Sequence, residues 1–361
     1  MNTLTVQTST NNYEIVIEEG IRFSVSMYLK KDYSSVFIIT DDTVASLYAG
    51  DVSHSLQKQG YIVKTEVIPS GEISKSMEMY ETLQTSLLEA GMDRKGLIIA
   101  LGGGVVGDLA GFVAATFMRG IDYIQMPTTI LAHDSSVGGK VAINHPYGKN
   151  LIGSFYPPAA VLYDTDTLSS LPVHEIRSGY AELIKEACIG NAEFLETLLN
   201  VSLDSISTKQ LKNHLCAGIQ VKQSIVEKDE KEANIRMFLN FGHTLAHAIE
   251  TELGYGQLTH GEAVAIGILF ALRMSEQEEA VRLPSEEIKR WFYENHYPCF
   301  PDRLDVSKLI EHMKSDKKTE KQQIQMVLLQ EIESPVMKNV SDEKLREALE
   351  TFMEELNNAW Q

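Results

Sequence analysis

The chain has 361 residues, 43% of them hydrophobic and 23% charged, with a formal net charge of −18; at about 150 residues per domain this suits two domains with a real core. The acidic balance excludes nucleic-acid binding through a general basic surface, while leaving room for a local Lys/Arg cluster around a small anion. The start MNTLTVQTST is no signal peptide, no run of about 18 apolar residues suggests a membrane span, and Cys188, Cys216 and Cys299 lack metal-type spacing and read as reduced, mostly buried thiols of a cytoplasmic protein.

In chain order, residues 4–7 and 13–18 alternate around the turn-rich residues 9–12, which predicts a β-hairpin. Residues 35–40 (SVFIIT) form a short apolar strand running into Asp41 and Asp42, which can cap a helix over 43–59 ended by Gly60. A strand over 61–68 leads through Pro69, Ser70, Gly71 and Glu72 to a helix over 74–90, stopped by Gly91. A third strand, 97–101, is followed at once by GGGVVGD (102–108), an apolar helix to about Thr116 and a fourth strand, 123–126. Strands alternating with helices predict an α/β domain with a doubly wound, mostly parallel, Rossmann-like sheet, whose ligands bind at the carboxyl ends of the strands.

Three features sit at such ends. The glycines of 102–108 let the backbone approach a pyrophosphate at a helix N-terminus, although glycine-rich turns are common after strands and this one is not GxGxxG. Glu72 and Asp42 follow earlier strands, where a carboxylate can accept hydrogen bonds from ribose hydroxyls; the plainer reading of each is a capping or turn acid. Beyond Pro127, Thr128 and Thr129, the segments DSSVGGK (134–140) and NHPYGKN (144–150) are poor in helix signals, and their lysines are candidates for a phosphate or carboxylate partner or ordinary surface lysines. A strand over 160–163 leads to a Thr/Ser-rich loop, 164–172, which sets the expected boundary between an α/β domain over 1–172 and an α-helical domain over 173–361.

From residue 173 the pattern is almost wholly helical. A helix over 175–189 places Glu182 and Lys185 on one face at i, i+3, which reads as a surface ion pair were it not for the apolar Tyr180, Leu183 and Ile184 around it. A long helix over 208–228 includes Lys222. Helices over 263–274, 285–295 and 306–314 follow, then Lys317 and Lys318, a strand-like stretch over 324–329, and a closing helix that Ser341 can cap, to about Asn358.

The densest signal lies in residues 236–262, RMFLNFGHTLAHAIETELGYGQLTHGE. Projected as one helix at about 100° per residue, Arg236, Asn240, His243 and His247 share one sector, opposite Phe241, Leu245, Ala248 and Ile249. A polar face built from imidazole, amide and guanidinium suits a metal and an anion better than the Glu and Lys of a solvated face. The alternative is a half-exposed helix with incidental histidines. Gly242 within it costs roughly 1 kcal/mol relative to Ala, which points to close backbone approach. The i, i+4 pair His243 and His247 resembles half of a zinc site, with His260 or Glu182 as the third ligand, and the absence of HExxH disfavours a metalloprotease.

Taken together, SGEISK (70–75), GGGVVGD (102–108), RGIDYIQMPTT (119–129), DSSVGGK (134–140), GKNLIGSFYPP (148–158), AELIK (181–185), NFGHTLAHAIE (240–250) and HGEAVA (260–265) resemble the 3-dehydroquinate synthase family of the sugar-phosphate cyclases, over about residues 35–329. The resemblance implies Zn²⁺, with Co²⁺ as a substitute, on Glu182, His243 and His260, moving His247 from the metal to the substrate phosphate. It implies NAD⁺ held by Asp42, Glu72, Lys75, Gly103, Gly104, Asp108, Thr128, Thr129, Lys140, Lys149, Thr167, Ser170 and Leu171. Substrate would meet Asp134, Lys140, Lys149, Asn150, Lys185, Lys222, Arg236, Asn240 and His247, one of Lys317 and Lys318, and Arg119, for which a neighbouring subunit is a possible source.

The implied enzyme is an NAD- and metal-dependent carbon–oxygen lyase acting on a sugar phosphate, without nucleic-acid or membrane partners and as a cytoplasmic homodimer. It converts 3-deoxy-D-arabino-heptulosonate 7-phosphate to 3-dehydroquinate and phosphate, the second step of the shikimate pathway of aromatic amino acid biosynthesis. Oxidation at C5, phosphate elimination, return of the hydride, ring opening and aldol closure make up the implied sequence. Two departures from many relatives stand out: ILAH (130–133) is one residue shorter, which bears on Asp134, and Ser170 replaces Thr. Competing readings are another sugar-phosphate cyclase, a metal-dependent polyol dehydrogenase of similar architecture, and a non-catalytic binding protein on the same scaffold.

Overall fold

The computed structural model describes residues 2–254, 256–298, 300–301, 304–315 and 324–359, grouped into two compact units. The first comprises Met1–Leu171 with Thr208–Lys231, and the second Pro172–Ser207 with Glu232–Gln361.

The first unit is built on a seven-stranded sheet. The hairpin β1 (Asn2–Val6) and β2 (Tyr13–Glu18) forms one edge, followed in chain order by β3 (Val36–Asp41), β4 (Val63–Ile68), β5 (Leu97–Gly102), β6 (Asp122–Pro127) and, after a separate hairpin of β7 (Lys140–His145) and β8 (Gly148–Phe155), by β9 (Ala160–Asp164). The spatial order is β1-β2-β9-β6-β5-β3-β4, and every pairing except β1–β2 is parallel. Its helices are α1 (Asp42–Val44) and α2 (Gly50–Gln57), joined by a π-helical turn, then α3 (Met77–Glu89), α4 (Gly104–Thr116) and α5 (Ala132–Ser135).

Period-two alternation puts Phe37 and Ile39 on one face of the sheet and Val36 and Ile38 on the other. The first pair packs with Leu83, Leu87, Leu109 and Val113 from α3 and α4, and the second with Val52 and Leu56 of α2. Both faces are covered, which makes the sheet doubly wound. The chain steps from β3 outward to β4 and then back across β3 to β5, so the order reverses between β3 and β5, at the place where such sheets bind ligands.

The expected cut after residue 172 describes only the first crossing. The chain leaves for α6 (Val173–Gly190) and α7 (Ala192–Leu199) and then returns as α8 (Thr208–Val226), which packs in the first unit on α5, β1 and the 3₁₀ turn Thr165–Ser170. Helical periodicity shows that this segment is amphipathic but not which unit buries Leu211, Leu215 and Ile219.

The second unit holds α6, α7, α9 (His243–Leu253), α10 (His260–Glu279), α11 (Ser285–Glu294), α12 (Val306–Ser315) and α13 (Asp342–Ala359), with a two-stranded hairpin of β10 (Ile324–Glu331) and β11 (Ser334–Val340). The fully apolar stretch of α10 is buried from Ala263 to Leu272, as a helix hydrophobic all round must be. No helix among the described residues is long and apolar enough to cross a membrane.

Residues 236–262 do not form one helix. They divide into a 3₁₀ turn (Ile235–Asn240), a break at Phe241 and Gly242, helix α9, and then the start of α10. Gly242 is not in a helix interior but caps α9 in the left-handed region, at φ +81°. A Cβ there would lie 2.8 Å from the Ile268 nitrogen, so the close approach expected of this glycine is to the backbone of α10.

Candidate metal centre and nucleotide cradle

In the second unit, three helices converge because three glycines let them. A Cβ on Gly267 of α10 would meet the Gly242 carbonyl at 2.0 Å, and one on Gly261 would meet the Ser178 carbonyl of α6 at 2.0 Å. Only hydrogen fits at either place, so α9 and α6 both press against the first half of α10. The start of α10 is fixed by a capping box: the Thr259 hydroxyl accepts from the Glu262 N–H, and the Glu262 carboxylate accepts from the Thr259 N–H. Glu262 also accepts from Arg177 of α6 at 3.1 Å. His260 thereby occupies the first turn of α10, facing α6.

The result is a cluster of Glu182, His243 and His260 whose ligand atoms lie within 4.8 Å of one another. Nε2 of His243 and Nε2 of His260 approach the same oxygen, Glu182 Oε1, at 3.2 and 3.3 Å. Each Nδ1 faces an acceptor of its own: His243 meets the Phe241 carbonyl at 3.2 Å, and His260 meets Glu250 Oε2 at 3.1 Å. Both Nε2 atoms are thus aimed at one carboxylate oxygen, which calls for positive charge among them, either a proton on an imidazole or a metal ion. Two donors each about 2.1 Å from a shared ion at a tetrahedral angle sit about 3.4 Å apart, close to what is seen.

Without a metal, the two imidazoles differ in their tendency to hold a proton. Burial lowers His243 to about 4, and although burial also opposes charge on His260, Glu250 and Glu182 overcome it and raise that group to about 10. Burial would raise Glu182 too, yet Lys185 and the two histidines hold it well below the usual carboxylate range. The carboxylates thus draw positive charge onto His260 while His243 stays neutral, and a metal ion would take the place of the His260 proton.

The i, i+4 pair expected from spacing is not the pair that shares the Glu182 oxygen. His247 lies beside the cluster, its ring 5.4 Å from that of His243 and 6.1 Å from that of His260, but outside the three-residue set. Glu182 and Lys185 are no surface pair: both are 1% exposed, with Lys185 Nζ 2.5 Å from Glu182 Oε2. Arg236 is also 1% exposed, on the 3₁₀ turn that precedes α9. Asn240 ends that turn and donates to the Met237 carbonyl at 2.8 Å. Lys317 and Lys318 lie outside the described residues.

In the first unit, the residues assigned to a nucleotide gather along the carboxyl edge of the parallel sheet. Asp41, not Asp42, caps α1 by accepting from the Val44 N–H at 2.8 Å, which leaves Asp42 to hydrogen-bond Ser70 at the end of β4; that bond lowers its pKa. After β5, helix α4 starts at Gly103 and Gly104 with no side-chain cap, and a Cβ on Gly104 would come within 3.2 Å of Ser135 Oγ. Its first-turn N–H groups are thus open to an anion. Thr128 follows β6, buried, with a hydroxyl that has no hydrogen-bond partner among the described residues, and Thr129 Oγ1 accepts from the Ala132 N–H. Thr167 and Ser170 spend their hydroxyl protons on the 3₁₀ turn after β9, where Tyr48 donates to Ser170 Oγ at 2.6 Å and Leu171 ends the turn.

Lys75 is almost wholly buried, and its ammonium contacts Asp108 Oδ2 at 2.7 Å and Asn150 Oδ1 at 2.5 Å. Lys222 of α8 pairs with Asp134 of α5 at 2.9 Å. The segment poor in helix signals contains the β7–β8 hairpin, which carries Lys140, Lys149 and Asn150. Its strands were hidden by the glycines and by short, mixed-polarity alternation. Arg119 is exposed and precedes β6, so a six-residue strand, roughly 15–20 Å, separates it from the carboxyl edge where the other residues gather.

Three positions that sequence reasoning missed are Glu250, Asn144 and Tyr48. Glu250 is spaced ten residues from His260 across a loop, so no local periodicity links them. Asn144 lies in a stretch with no recognised element.

Comparison with known proteins accords with this layout. Residues 65–178 match the family described as 3-dehydroquinate synthase N-terminal, and residues 179–319 match 3-dehydroquinate synthase C-terminal. The chain is 57% identical to the 3-dehydroquinate synthase of Oceanobacillus iheyensis, covering 99% of each chain, and 48% identical to that of Halalkalibacterium halodurans, covering 98% of this chain and 99% of the relative. Among solved structures it resembles a 2-deoxy-scyllo-inosose synthase complexed with carbaglucose-6-phosphate, NAD⁺ and Co²⁺ (TM-score 0.87, 28% identity, 96% of this chain and 100% of that one). It also shares its fold with the 2-epi-5-epi-valiolone synthase of Streptomyces hygroscopicus (TM-score 0.84, 22% identity, 97% and 99% coverage). Matched in both halves, and end to end by relatives that share half or more of its residues or close to it, the chain belongs to the 3-dehydroquinate synthase family.

Proposed function

We propose that the two clusters carry out the 3-dehydroquinate synthase reaction with catalytic NAD⁺ and one divalent metal. The substrate is 3-deoxy-D-arabino-heptulosonate 7-phosphate; the products are 3-dehydroquinate and phosphate. The observation that carries the reading is the pair of imidazole Nε2 atoms turned onto one buried carboxylate oxygen, with each Nδ1 facing an acceptor of its own.

Glu182, His243 and His260 would hold the metal. Two nitrogens and one oxygen suit Zn²⁺ in a three-ligand site open to substrate, with Co²⁺ as an alternative. When bound, the metal supplies Lewis acidity at a substrate hydroxyl, and NAD⁺ supplies an acceptor that takes up a hydride and returns it, so that no cofactor is consumed. Asp42, Glu72, Lys75, Gly103, Gly104, Asp108, Thr128, Thr129, Thr167, Ser170 and Leu171 would cradle the dinucleotide, the open N-terminus of α4 taking its pyrophosphate. Lys140 and Lys149, which the resemblance assigns to both cofactor and substrate, lie on the β7–β8 hairpin.

The chain's own groups do the rest. Glu250 and the Phe241 carbonyl keep the imidazoles in the tautomer that presents Nε2. Lys185 neutralises the second oxygen of Glu182. Arg236, Asn240 and His247 of the second unit, and Lys140 and Lys222 of the first, are the groups that the family resemblance assigns to the phosphate that is to leave. Lys149, Asn150 and Asp134 orient the sugar hydroxyls. Holding one conformer near its reactive geometry removes much of the entropic barrier to a sequence of otherwise facile steps. The position of Arg119 on the amino side of the sheet suits a contribution to a second copy of the chain, and with it a homodimer. The protein works in the cytoplasm.

Replacing His243 by Ala should abolish both stoichiometric metal binding and turnover. Full turnover by the parent chain after chelation and dialysis would contradict the proposal.

A further inference from the structure

Asn144 stands where the β7–β8 ladder breaks. Ile143 pairs with Ile152, but His145 pairs with Gly148, so Asn144 lies opposite three residues of the other strand, Lys149 to Leu151. Bulges of this kind re-aim side chains and are over-represented beside active sites. Here the extra residues turn Asn150 into the left-handed region, at φ +56°. That turn sends its side chain to Lys75, whose ammonium donates to Asn150 Oδ1.

Asn144 uses every polar group that points this way. Its backbone N–H donates to the Lys75 carbonyl at 2.8 Å. Its Oδ1 accepts from the Asn150 N–H at 2.9 Å, and its Nδ2 donates to Glu72 Oε1 at 2.7 Å. An N–H on one side and a carboxylate on the other fix which end of the amide is which. Glu72 and Lys75 belong to the turn after β4 and Asn150 to β8, and Asn144 is bonded to all three.

We infer that Asn144 is a positioning residue of the nucleotide site: its amide clamps one oxygen of Glu72, so that the other is presented to the ribose of the dinucleotide, and it locks the Asn150 turn that completes the Lys75–Asp108 group. The inference rests on the assignment of NAD⁺ to this edge of the first unit. Asn144 itself touches neither substrate nor the reacting atoms.

The substitution that isolates this role is Asn144→Asp. It keeps the acceptor for the Asn150 N–H and the shape of the side chain but replaces the donor to Glu72 with a second carboxylate. Losing a hydrogen bond to a charged group and adding a like charge should weaken NAD⁺ binding on the order of tenfold or more at neutral pH. As pH falls and the pair of carboxylates takes up one proton, an O–H···O⁻ bond replaces the lost N–H···O⁻ bond, and affinity should recover toward that of the parent; a role limited to folding would show no such recovery. Isothermal titration of the full-length chain with NAD⁺ at several pH values reads this directly, without turnover.

Asn144→Ala, which cannot recover at any pH, is the companion variant, and Glu72→Gln combined with Asn144→Ala should cost much less than the sum of the two single changes. A parent chain that binds no NAD⁺ would overturn the nucleotide assignment itself. A parent that binds while Asn144→Asp binds equally well, or is weakened equally at every pH, would overturn the role of Asn144 alone. If Asn144→Asp does not fold, additive losses in the Ala and Gln combination would overturn it in the same way.

Discussion

Glu250 Oε2 lies 3.1 Å from Nδ1 of His260, whose other ring nitrogen faces Glu182 at 3.3 Å. A carboxylate behind a ligating imidazole fixes its tautomer and raises its basicity, and loss of such partners typically costs about 10- to 100-fold in metal affinity. Glu250→Ala should lower affinity by that amount, and Glu250→Gln, which retains an acceptor for the Nδ1–H, should lower it less. Competition with a chromophoric chelator measures both; an unchanged affinity in Glu250→Ala would remove Glu250 from the site.

Gly261 is the narrowest point between α6 and α10. A methyl group there would sit 2.0 Å from the Ser178 carbonyl and 2.4 Å from its Cα, both backbone atoms that cannot rotate away. Gly261→Ala should destabilise the chain by about 3 kcal/mol or more, at the upper end of overpacking costs. The same shift would move His260 from Glu182, so metal affinity should fall along with the denaturation midpoint. A variant with parental stability would mean that the helices are not pressed together as described.

Lys185 and Glu182 are a fully buried pair, and removing one partner of such a pair commonly costs about 3–5 kcal/mol, because the other charge is left without compensation. Here the metal offers a second source of compensation. Lys185→Met should therefore be strongly destabilising in the apo chain and clearly less so with the metal bound. Denaturation midpoints with and without the metal test this; an equal loss in both would show that Glu182 does not face the ion.

Arg236 is buried, and its charge is assigned to the substrate phosphate. Removing one charged hydrogen-bonding partner costs about 1.5–3 kcal/mol, or roughly 10- to 150-fold. Arg236→Ala should raise the KM for the sugar phosphate by that factor and leave the Kd for NAD⁺ within about twofold. Equal losses of both would contradict the phosphate role.

The alternation of strands and helices made the parallel sheet legible, because Ser35 to Thr40 and Leu97 to Leu101 are apolar runs too short for helices and are bounded by turns. The carboxyl-edge acids and glycines followed from that topology. What local pattern did not carry was tertiary. Arg236, Asn240, His243 and His247 fit one helical projection only if Gly242 is passed over as a helix residue; its left-handed conformation breaks the helix, and the spacing rule then pairs His243 with His247 rather than with Glu182 and His260. The true partners of His243 come from α6 and α10, and their convergence depends on Gly261 and Gly267, whose meaning appears only when the opposing carbonyls are in place. Residues 208–228 read correctly as a helix, yet nothing in their period assigned them to the first unit. The β7–β8 hairpin was missed because its ladder is interrupted at Asn144, the same irregularity that turns Asn150 toward Lys75.

The most direct test is to incubate the full-length chain, loaded with one equivalent of Zn²⁺ or Co²⁺, with 3-deoxy-D-arabino-heptulosonate 7-phosphate and NAD⁺, following phosphate, NADH and the carbon skeleton together. The account predicts one phosphate released for each 3-dehydroquinate formed, with no net NADH. Net NADH accumulating without phosphate release, as in a polyol dehydrogenase, or a carbocycle other than 3-dehydroquinate, would contradict it.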